Sequence, residues 1–307
     1  MRQVIAPDPR PHAEHADDPG SDTCAYVTAR DGSRVAYEAR GSGPCLVFTN
    51  GLATSSFYWR RLLPRFERRA RLVTWDLKGH GRSEPARSPA ATTVADSVDD
   101  LERIMDAVGA EKAVLLGFSF GCQIVLDAWR YLPERIAALI PILGTHGHPF
   151  RTLVHPRVGP LVHHMIRWIP DWLASLLLDL AGRSADLPGA FATSRRLGLL
   201  GPGLTLDDMR PFYDHIRRVD GPTWRAMALN AEAHSAEDLF AEITCPVLVV
   251  GGGRDAFTPP GASREMARRI RGAEELFLPD ATHTGLLELP DVIGDRIACF
   301  LEAHRIL

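Results

Sequence analysis

Several features that mark specialised classes of protein are missing from this chain of 307 residues. No apolar run is long enough to cross a membrane, and the N-terminus lacks the apolar core of a signal peptide. The five cysteines are widely spaced without a CxxC pair, which favours free thiols in a reducing compartment. Lys and Arg are not in excess, because the net charge is -3. We therefore expect a cytoplasmic globular protein with no membrane span and no nucleic-acid partner.

What the chain does contain is an alternation of short apolar runs with helical patterns. Residues 25–40 predict a hairpin that turns at Asp31 and Gly32, and residues 57–68 and 94–108 predict helices. Further strands are predicted at 45–49, 71–75, 113–116, 136–143, 245–250 and 275–278. This alternation predicts an α/β fold with a mostly parallel central sheet and helices on both faces.

The middle of the chain has a different character from the two ends. Residues 146–242 show no strand alternation, are rich in Leu, Trp, Arg and His, and are punctuated by prolines. We expect this segment to be an inserted helical cap, or lid, on a core formed by 25–145 and 243–307. The Pro- and Asp-rich residues 1–24 are predicted to be a flexible tail.

A serine between two glycines follows one of the predicted strands. The sequence GFSFG places Ser119 between Gly117 and Gly121, after an apolar strand and before a helical pattern. Glycines permit the sharp turn that projects such a serine from the sheet edge, while the helix N-terminus and the Phe120 N–H face the same point. We interpret Ser119 as a nucleophile and the Phe120 N–H as an oxyanion donor.

A serine hydroxyl needs a base and an acid to become a strong nucleophile. The chain supplies Asp255 and His283, each in a loop directly after a predicted strand, where open α/β sheets gather functional groups. Asp280 is the rival acid, but it lies only three residues before His283 and is expected to be a turn residue. Ser119, Asp255 and His283 are therefore the predicted catalytic residues.

Five stretches together resemble the α/β-hydrolase fold family. They are CLVFTNGL with SSFYWRRLLP, WDLKGHGRS, GFSFG, VLVVGGGRDAFTPP and DATHTGLLELP. The resemblance covers about residues 25–307 apart from the lid. It implies an oxyanion hole made by the backbone N–H groups of Leu52 and Phe120. Because a serine stands at the nucleophile position, it also argues against the epoxide hydrolase and haloalkane dehalogenase branches, which use a carboxylate there.

The substrate pocket is less clearly marked in the sequence. The family often has His where Asn50 stands, so we place Asn50 at the pocket mouth, and we predict Phe118 as a further residue of the substrate pocket. Trp168 and Trp172 of the lid are the predicted lining of an acyl pocket. Asp76 and His80 are interpreted as residues that hold their loop in place.

Histidines in the middle segment raise the question of a metal site. They are His146, His148, His155, His163 and His164. No cysteine accompanies them, so we expect no metal, and the chemistry predicted here needs no organic cofactor.

The predicted function is a serine hydrolase that cleaves a small-molecule acyl substrate, with a carboxylic ester favoured by the apolar lid. The same residues suit a carbon-carbon bond hydrolase, a thioesterase or lactonase, an acyltransferase or a cofactor-free perhydrolase. A small-molecule receptor of the same fold is the alternative outside enzymes. The sequence leaves the oligomeric state and the physiological substrate open.

Overall fold

The computed structural model of the protein describes residues 24–151, 153 and 157–307. The tail predicted at 1–24 lies outside the described residues, apart from Cys24. Within the described ranges, no helix combines the length and the apolar character that crossing a membrane requires.

An eight-stranded sheet forms the centre of the molecule. The strands are β1 Ala25–Thr28, β2 Arg34–Arg40, β3 Cys45–Thr49, β4 Arg71–Trp75, β5 Ala113–Phe118, β6 Ile136–Ile142, β7 Leu248–Gly252 and β8 Glu274–Leu278. Their spatial order is β1-β2-β4-β3-β5-β6-β7-β8. Strand β2 runs antiparallel to both its neighbours, and the pairs from β4 to β8 are parallel. The predicted hairpin and the mostly parallel sheet are confirmed.

Helices cover both faces of this sheet. Those of the core are α1 Val94–Ala107, α2 Gly121–Tyr131, α8 Pro260–Arg269, α9 Gly285–Glu288 and α10 Pro290–Ala303. Helix α1 starts at a capping box in which Thr93 and Asp96 exchange hydrogen bonds, as its sequence predicts. Apolar residues of α1, α2 and α8 pack on one face of the sheet, and those of α10 pack on the other. The fold predicted from the alternation is therefore confirmed.

Two local predictions are wrong. Residues 57–68 do not form one helix but two 3₁₀ turns, Ser56–Trp59 and Leu63–Arg65. Pro64 lies in the second turn, where it cannot donate an N–H to a continuing helix. The strand predicted at 245–250 begins only at Leu248. Pro246 accepts a hydrogen bond from Leu139 N–H through its carbonyl, but it has no backbone N–H to donate to the sheet.

Between β6 and β7 the described residues form helices and no strand. These helices are α3 Gly159–Trp168, α4 Asp171–Arg183, α5 Ala190–Arg196, α6 Leu206–Ile216 and α7 Gly221–Ala233. We call residues 146–242 the inserted segment. Its two ends lie side by side, because Gly147 and Ser235 form a β-bridge flanked by the bonds His148 N–H to His234 O and Ala236 N–H to His146 O.

Candidate active site

The turn after β5 holds its central serine in an unusual backbone conformation. Ser119 has φ of 55°, in the left-handed region that residues with a side chain rarely adopt. A Cβ on Gly117 would lie 2.4 Å from Gly121 O, and a Cβ on Gly121 would lie 2.5 Å from Thr49 O. Only glycine fits at both positions, so the two glycines that bracket Ser119 are required by the close approach of β5, β3 and α2.

A hydrogen-bonded chain links three side chains that come from distant parts of the sequence. His283 Nε2 lies 3.0 Å from Ser119 Oγ, and His283 Nδ1 lies 2.9 Å from Asp255 Oδ2. The structure thus brings together all three predicted catalytic residues at the carboxyl ends of β5, β7 and β8. The arrangement is that of a nucleophile, a base and an orienting acid.

The Asp255 carboxylate is fixed from several sides. Its Oδ1 accepts hydrogen bonds from the N–H groups of Phe257 and Thr258, at 2.9 and 2.8 Å. Its Oδ2 also accepts from Thr258 Oγ1 at 2.7 Å. The side chain has no exposed surface, whereas the rival Asp280 is exposed. The geometry therefore assigns the bond with His283 Nδ1 to Asp255 rather than to Asp280.

The loop after β3, residues 50–55, lies against the serine, and we call it the oxyanion loop. A Cβ on Gly51 would come 2.8 Å from Ser119 Cβ, so the next residue, Leu52, follows the closest approach of the two loops. Within the described part of the chain, no acceptor receives a hydrogen bond from the backbone N–H of Leu52 or of Phe120. Two free donors beside a serine hydroxyl are the requirement for stabilising an oxyanion.

His80 reaches this loop from the turn after β4. Its Nε2 accepts a hydrogen bond of 2.9 Å from the N–H of Ala53, whose φ is 57°. Its Nδ1 therefore carries the ring proton and donates to Lys78 O, also at 2.9 Å. Burial lowers the pKa of His80 to about 4, which keeps the ring neutral and able to accept. The bond agrees with the interpretation of His80 as a loop-holding residue, and it adds the specific loop that is held.

Asn50 is placed differently from the prediction. Its side chain is fully buried, donating to Trp75 O at 2.6 Å and accepting from Trp59 Nε1 at 2.8 Å. A side chain with no exposed surface does not line a pocket mouth in this structure. Asn50 instead joins β3 to β4 and to the first 3₁₀ turn, which fixes where Gly51 and Leu52 begin.

Aromatic rings surround the His283 imidazole. The rings of Phe118 and Phe257 each lie 5.0 Å from it, centre to centre, and Tyr58 stacks on Phe118 at 4.8 Å. Phe118, predicted as a substrate-pocket residue, is instead fully buried beneath the imidazole, because it ends β5 in the core of the sheet, whereas Phe257 is 37% exposed. Phe257 and Tyr58 escaped the sequence analysis, because a loop residue such as Phe257 and a residue of a short 3₁₀ turn such as Tyr58 carry no periodic signal. Together these rings restrict the orientation of His283.

The tryptophans of the inserted segment divide into an outer pair and an inner one. Trp168 and Trp172 are 70% and 67% exposed, on the outer surface of α3 and α4. Trp224 of α7 is only partly exposed and packs against two apolar clusters, one that contains Ala53 and one that contacts Leu52. Of the tryptophans in the inserted segment, Trp224 is therefore the one that packs against the clusters of Leu52 and Ala53, and the sequence analysis did not select it.

The described histidines of the inserted segment do not form a cluster with metal-binding geometry. Among the described residues, no group of three His, Cys, Asp or Glu side chains is arranged to hold a metal ion. His148 Nδ1 lies 2.7 Å from Glu232 O, and His163 stacks on Phe150 at 5.7 Å. His155 lies outside the described residues.

A cleft of about 640 Å³ opens between the core and α6. Its lining includes Asp76, Arg82, Arg210 and His215, and none of the three predicted catalytic residues. The His215 ring stacks on His80 at 6.1 Å, and burial lowers its pKa to about 3. The cleft thus lies next to the support of the oxyanion loop and is separate from the serine.

The sequence profile described as alpha/beta hydrolase fold matches residues 44–290, most of the chain. The protein belongs to the α/β-hydrolase family. Human epoxide hydrolase 4 is 25% identical over 95% of this chain and 84% of its own length. The pimeloyl-[acyl-carrier protein] methyl ester esterase of Nitrosomonas europaea is 26% identical over 86% of this chain and 96% of its own.

Solved structures of this family share the fold at low sequence identity. A hydrolase from Pseudomonas aeruginosa PA01 superposes with a TM-score of 0.73 at 21% identity, over 92% of this chain and 99% of that one. Since the relatives are hydrolases, this member of the α/β-hydrolase family is an enzyme, and the predicted family is confirmed.

Proposed function

We propose that this α/β-hydrolase cleaves carboxylic esters through an acyl-enzyme formed on Ser119. The observation that carries the proposal is the linear chain from Ser119 Oγ to His283 Nε2 and from His283 Nδ1 to Asp255 Oδ2, at 3.0 and 2.9 Å. Each bond has the length that proton transfer and ring orientation require.

In the first half-reaction, Ser119 Oγ attacks the ester carbonyl while its proton moves to His283 Nε2. The negative charge that develops on the carbonyl oxygen is stabilised by the N–H groups of Leu52 and Phe120, and Asp255 stabilises the imidazolium. Collapse of this intermediate expels the alcohol, which takes the proton from His283. An acyl group then remains on Ser119.

Water completes the reaction. His283 removes a proton from a water molecule that attacks the acyl carbonyl, and the same N–H groups stabilise the second oxyanion. Collapse breaks the bond to Ser119 Oγ, which recovers its proton from His283, and the carboxylic acid leaves. All charges and protons are handled by protein groups of the site.

The residue at the nucleophile position favours an ester over an epoxide. One similar protein is named as an epoxide hydrolase and another as a methyl ester esterase. A serine hydroxyl with a histidine base is suited to acyl transfer, whereas ring opening by the epoxide hydrolase branch proceeds through a carboxylate nucleophile. Ser119 and the two free N–H donors therefore support the esterase reaction.

An apolar acyl group suits the surroundings of the oxyanion loop. Phe150, Ile166 and Ala228 form a buried cluster against Leu52, and Leu178, Ile216 and Val219 form another with Ala53. Trp224 packs against both clusters. We propose that Trp224 forms part of the wall that the substrate contacts, in place of the exposed Trp168 and Trp172.

The test is turnover of p-nitrophenyl esters of increasing acyl length by wild type and by Ser119→Ala. We expect kcat to fall by about 10⁴- to 10⁶-fold in Ser119→Ala. Ser175→Ala, which alters an exposed serine of α4, is the matched control and should retain full activity. Unchanged turnover in Ser119→Ala would contradict the proposal.

A fluorophosphonate probe separates the two parts of the proposal. It should label Ser119 irreversibly, which reports an activated serine whatever the natural substrate is. Labelling without hydrolysis of any ester would retain the nucleophile and redirect the search to thioesters, carbon-carbon bonds or acyl transfer.

A further inference from the structure

The outer face of α3 and α4 is apolar and exposed. Leu161, Met165 and Trp168 recur at helical spacing on α3, and Trp172, Leu176 and Leu180 do so on α4. Their exposed fractions range from 42% for Leu176 to 70% for Leu161 and Trp168. At roughly 200 Å² for each indole side chain, Trp168 and Trp172 alone expose on the order of 270 Å². Exposed apolar patches of a few hundred Å² often mark an interaction surface.

This exposed face, which we call the outer stripe, belongs to helices that already have a packed inner face. Ala174 and Leu178 of α4 and Ile166 of α3 are buried, and both helices pack against α7. From α7, Arg225 donates to Ile166 O at 2.8 Å and lies 3.5 Å from Asp171. The joint between the helices is therefore fixed, and the side chains of the outer stripe are not needed to pack α3 and α4 against the rest of the protein.

Basic side chains border the outer stripe. No Asp or Glu occurs between Glu134 and Asp171, whereas Arg157 and Arg167 lie in that interval and are exposed. The two acids of α4 are paired, Asp171 with Arg225 and Asp179 with Arg183. The border of the stripe is positive in a chain whose net charge is -3.

We propose that the outer stripe docks the protein on an anionic lipid surface. Amphipathic helices that combine Trp and Leu on one side with Arg at the edge lie in the plane of a membrane interface. Each basic group near an anionic bilayer strengthens binding about fivefold. A second copy of the chain fits less well, because a two-fold contact along α3 would place Arg167 against its own equivalent, and α3 has no acidic residue to pair with it.

The inner side of α3 connects this surface to the site. Ile166 belongs to the cluster that contacts Leu52 of the oxyanion loop, while Trp168 lies two residues further along the same helix. Docking would therefore bring apolar molecules dissolved in the lipid close to Ser119. The docking itself does not rest on the proposed esterase reaction.

The experiment is co-sedimentation of the full chain with vesicles of phosphatidylcholine alone or of phosphatidylcholine and phosphatidylglycerol at three to one. We expect binding to the anionic vesicles that weakens with salt. The double variant Trp168→Ser, Trp172→Ser should bind at least about tenfold more weakly. Arg157→Gln and Arg167→Gln should each weaken binding about fivefold.

Two control proteins make the result specific. Tyr131→Ser removes an aromatic side chain that is 52% exposed at the end of α2, outside the inserted segment. This variant should bind to vesicles as wild type does. Ser119→Ala should also bind normally, so that failure of the catalytic proposal and failure of docking can be told apart. Circular dichroism of each variant checks that the fold is retained.

Three outcomes would overturn the proposal. The first is wild-type protein that binds neither kind of vesicle. The second is binding that survives in the double tryptophan variant. The third is a wild-type dimer in sedimentation that becomes monomeric in the double variant, without vesicle binding, because the outer stripe would then be covered by a second copy.

Discussion

The three residues of the proposed triad and those of the outer stripe differ in how much of each side chain is enclosed by the rest of the protein. Asp255 is enclosed, and both of its carboxylate oxygens are hydrogen-bonded. Trp168 and Trp172, by contrast, expose about two thirds of their surface to solvent. Reacting groups need fixed positions, whereas the outer stripe leaves apolar surface exposed that another molecule can cover. Changes at the two regions should therefore affect different measurements.

The largest effect is expected at the acid of the triad. Asp255→Asn should lower kcat by about 10⁴-fold, because the amide no longer holds the His283 tautomer that accepts a proton from Ser119. Asp280→Asn, in the exposed loop before His283, should leave kcat unchanged. A deficit of similar size in both variants would contradict the assignment of the acid. Steady-state ester hydrolysis measures both.

A smaller loss is expected when the oxyanion loop loses its support. His80→Ala removes the acceptor for the Ala53 N–H, so the neighbouring Leu52 donor should become less well placed. We expect kcat to fall by about 100-fold with little change in KM, since an oxyanion donor acts in the transition state. His80→Gln, whose amide can accept from Ala53 and donate to Lys78 O, should recover part of kcat. A loss confined to KM would contradict this role.

The pH dependence of stability tests the contact between core and inserted segment. Burial depresses the pKa of His215 to about 3, so the unfolded chain takes up a proton below about pH 6.5 that the folded chain excludes. His80, with a pKa of about 4, acts in the same direction, whereas Asp100, whose pKa burial raises to about 7, opposes both. Stability from the histidines is thus lost as the pH falls from about 6.5 toward 4.

Urea unfolding of wild type and His215→Phe at pH 7 and pH 5 measures how much His215 contributes to the pH dependence of the free energy of unfolding. His215→Phe should lose about 2 kcal/mol less than wild type between the two pH values, because the variant lacks one proton-binding group in the unfolded state. Equal losses in the two proteins would contradict a neutral, buried His215.

The smallest effect separates inner from outer tryptophans. Trp224→Ala should lower kcat/KM about tenfold for long acyl chains and less for acetate, because part of an apolar contact surface is removed. Trp172→Ala should change kcat/KM in solution less than twofold at every chain length. An equal dependence of both variants on acyl length would refute the distinction.

The strands and the meeting of Ser119, Asp255 and His283 could be predicted because their signals are local. Glycines must stand at Gly117 and Gly121 for the chain to turn at Ser119, and Asp255 and His283 come directly after apolar runs. The burial of Asn50 could not be predicted, since its partners Trp59 and Trp75 O come together only in the folded sheet.

The orientation of the inserted helices was also beyond prediction. Helix α4 is apolar on two sides, with Ala174 and Leu178 buried and Trp172 and Leu176 exposed. Helical periodicity identifies such faces but does not say which of the two packs inward. In the folded protein the inward face is the one that packs against α7. The sequence analysis therefore selected Trp168 and Trp172 as pocket residues, although their side chains are largely exposed on the outer face.

The bridge between Gly147 and Ser235 has a consequence for how this enzyme could diversify. The chain leaves the sheet and returns to it through neighbouring, hydrogen-bonded residues, so the intervening helices close a loop whose ends are already joined. Lengthening or exchanging such a loop adds little to its closure entropy and need not move β6 or β7. The inserted segment is thus an exchangeable module, and a chimaera joined at 147 and 235 could inherit a new substrate range on the same reacting groups.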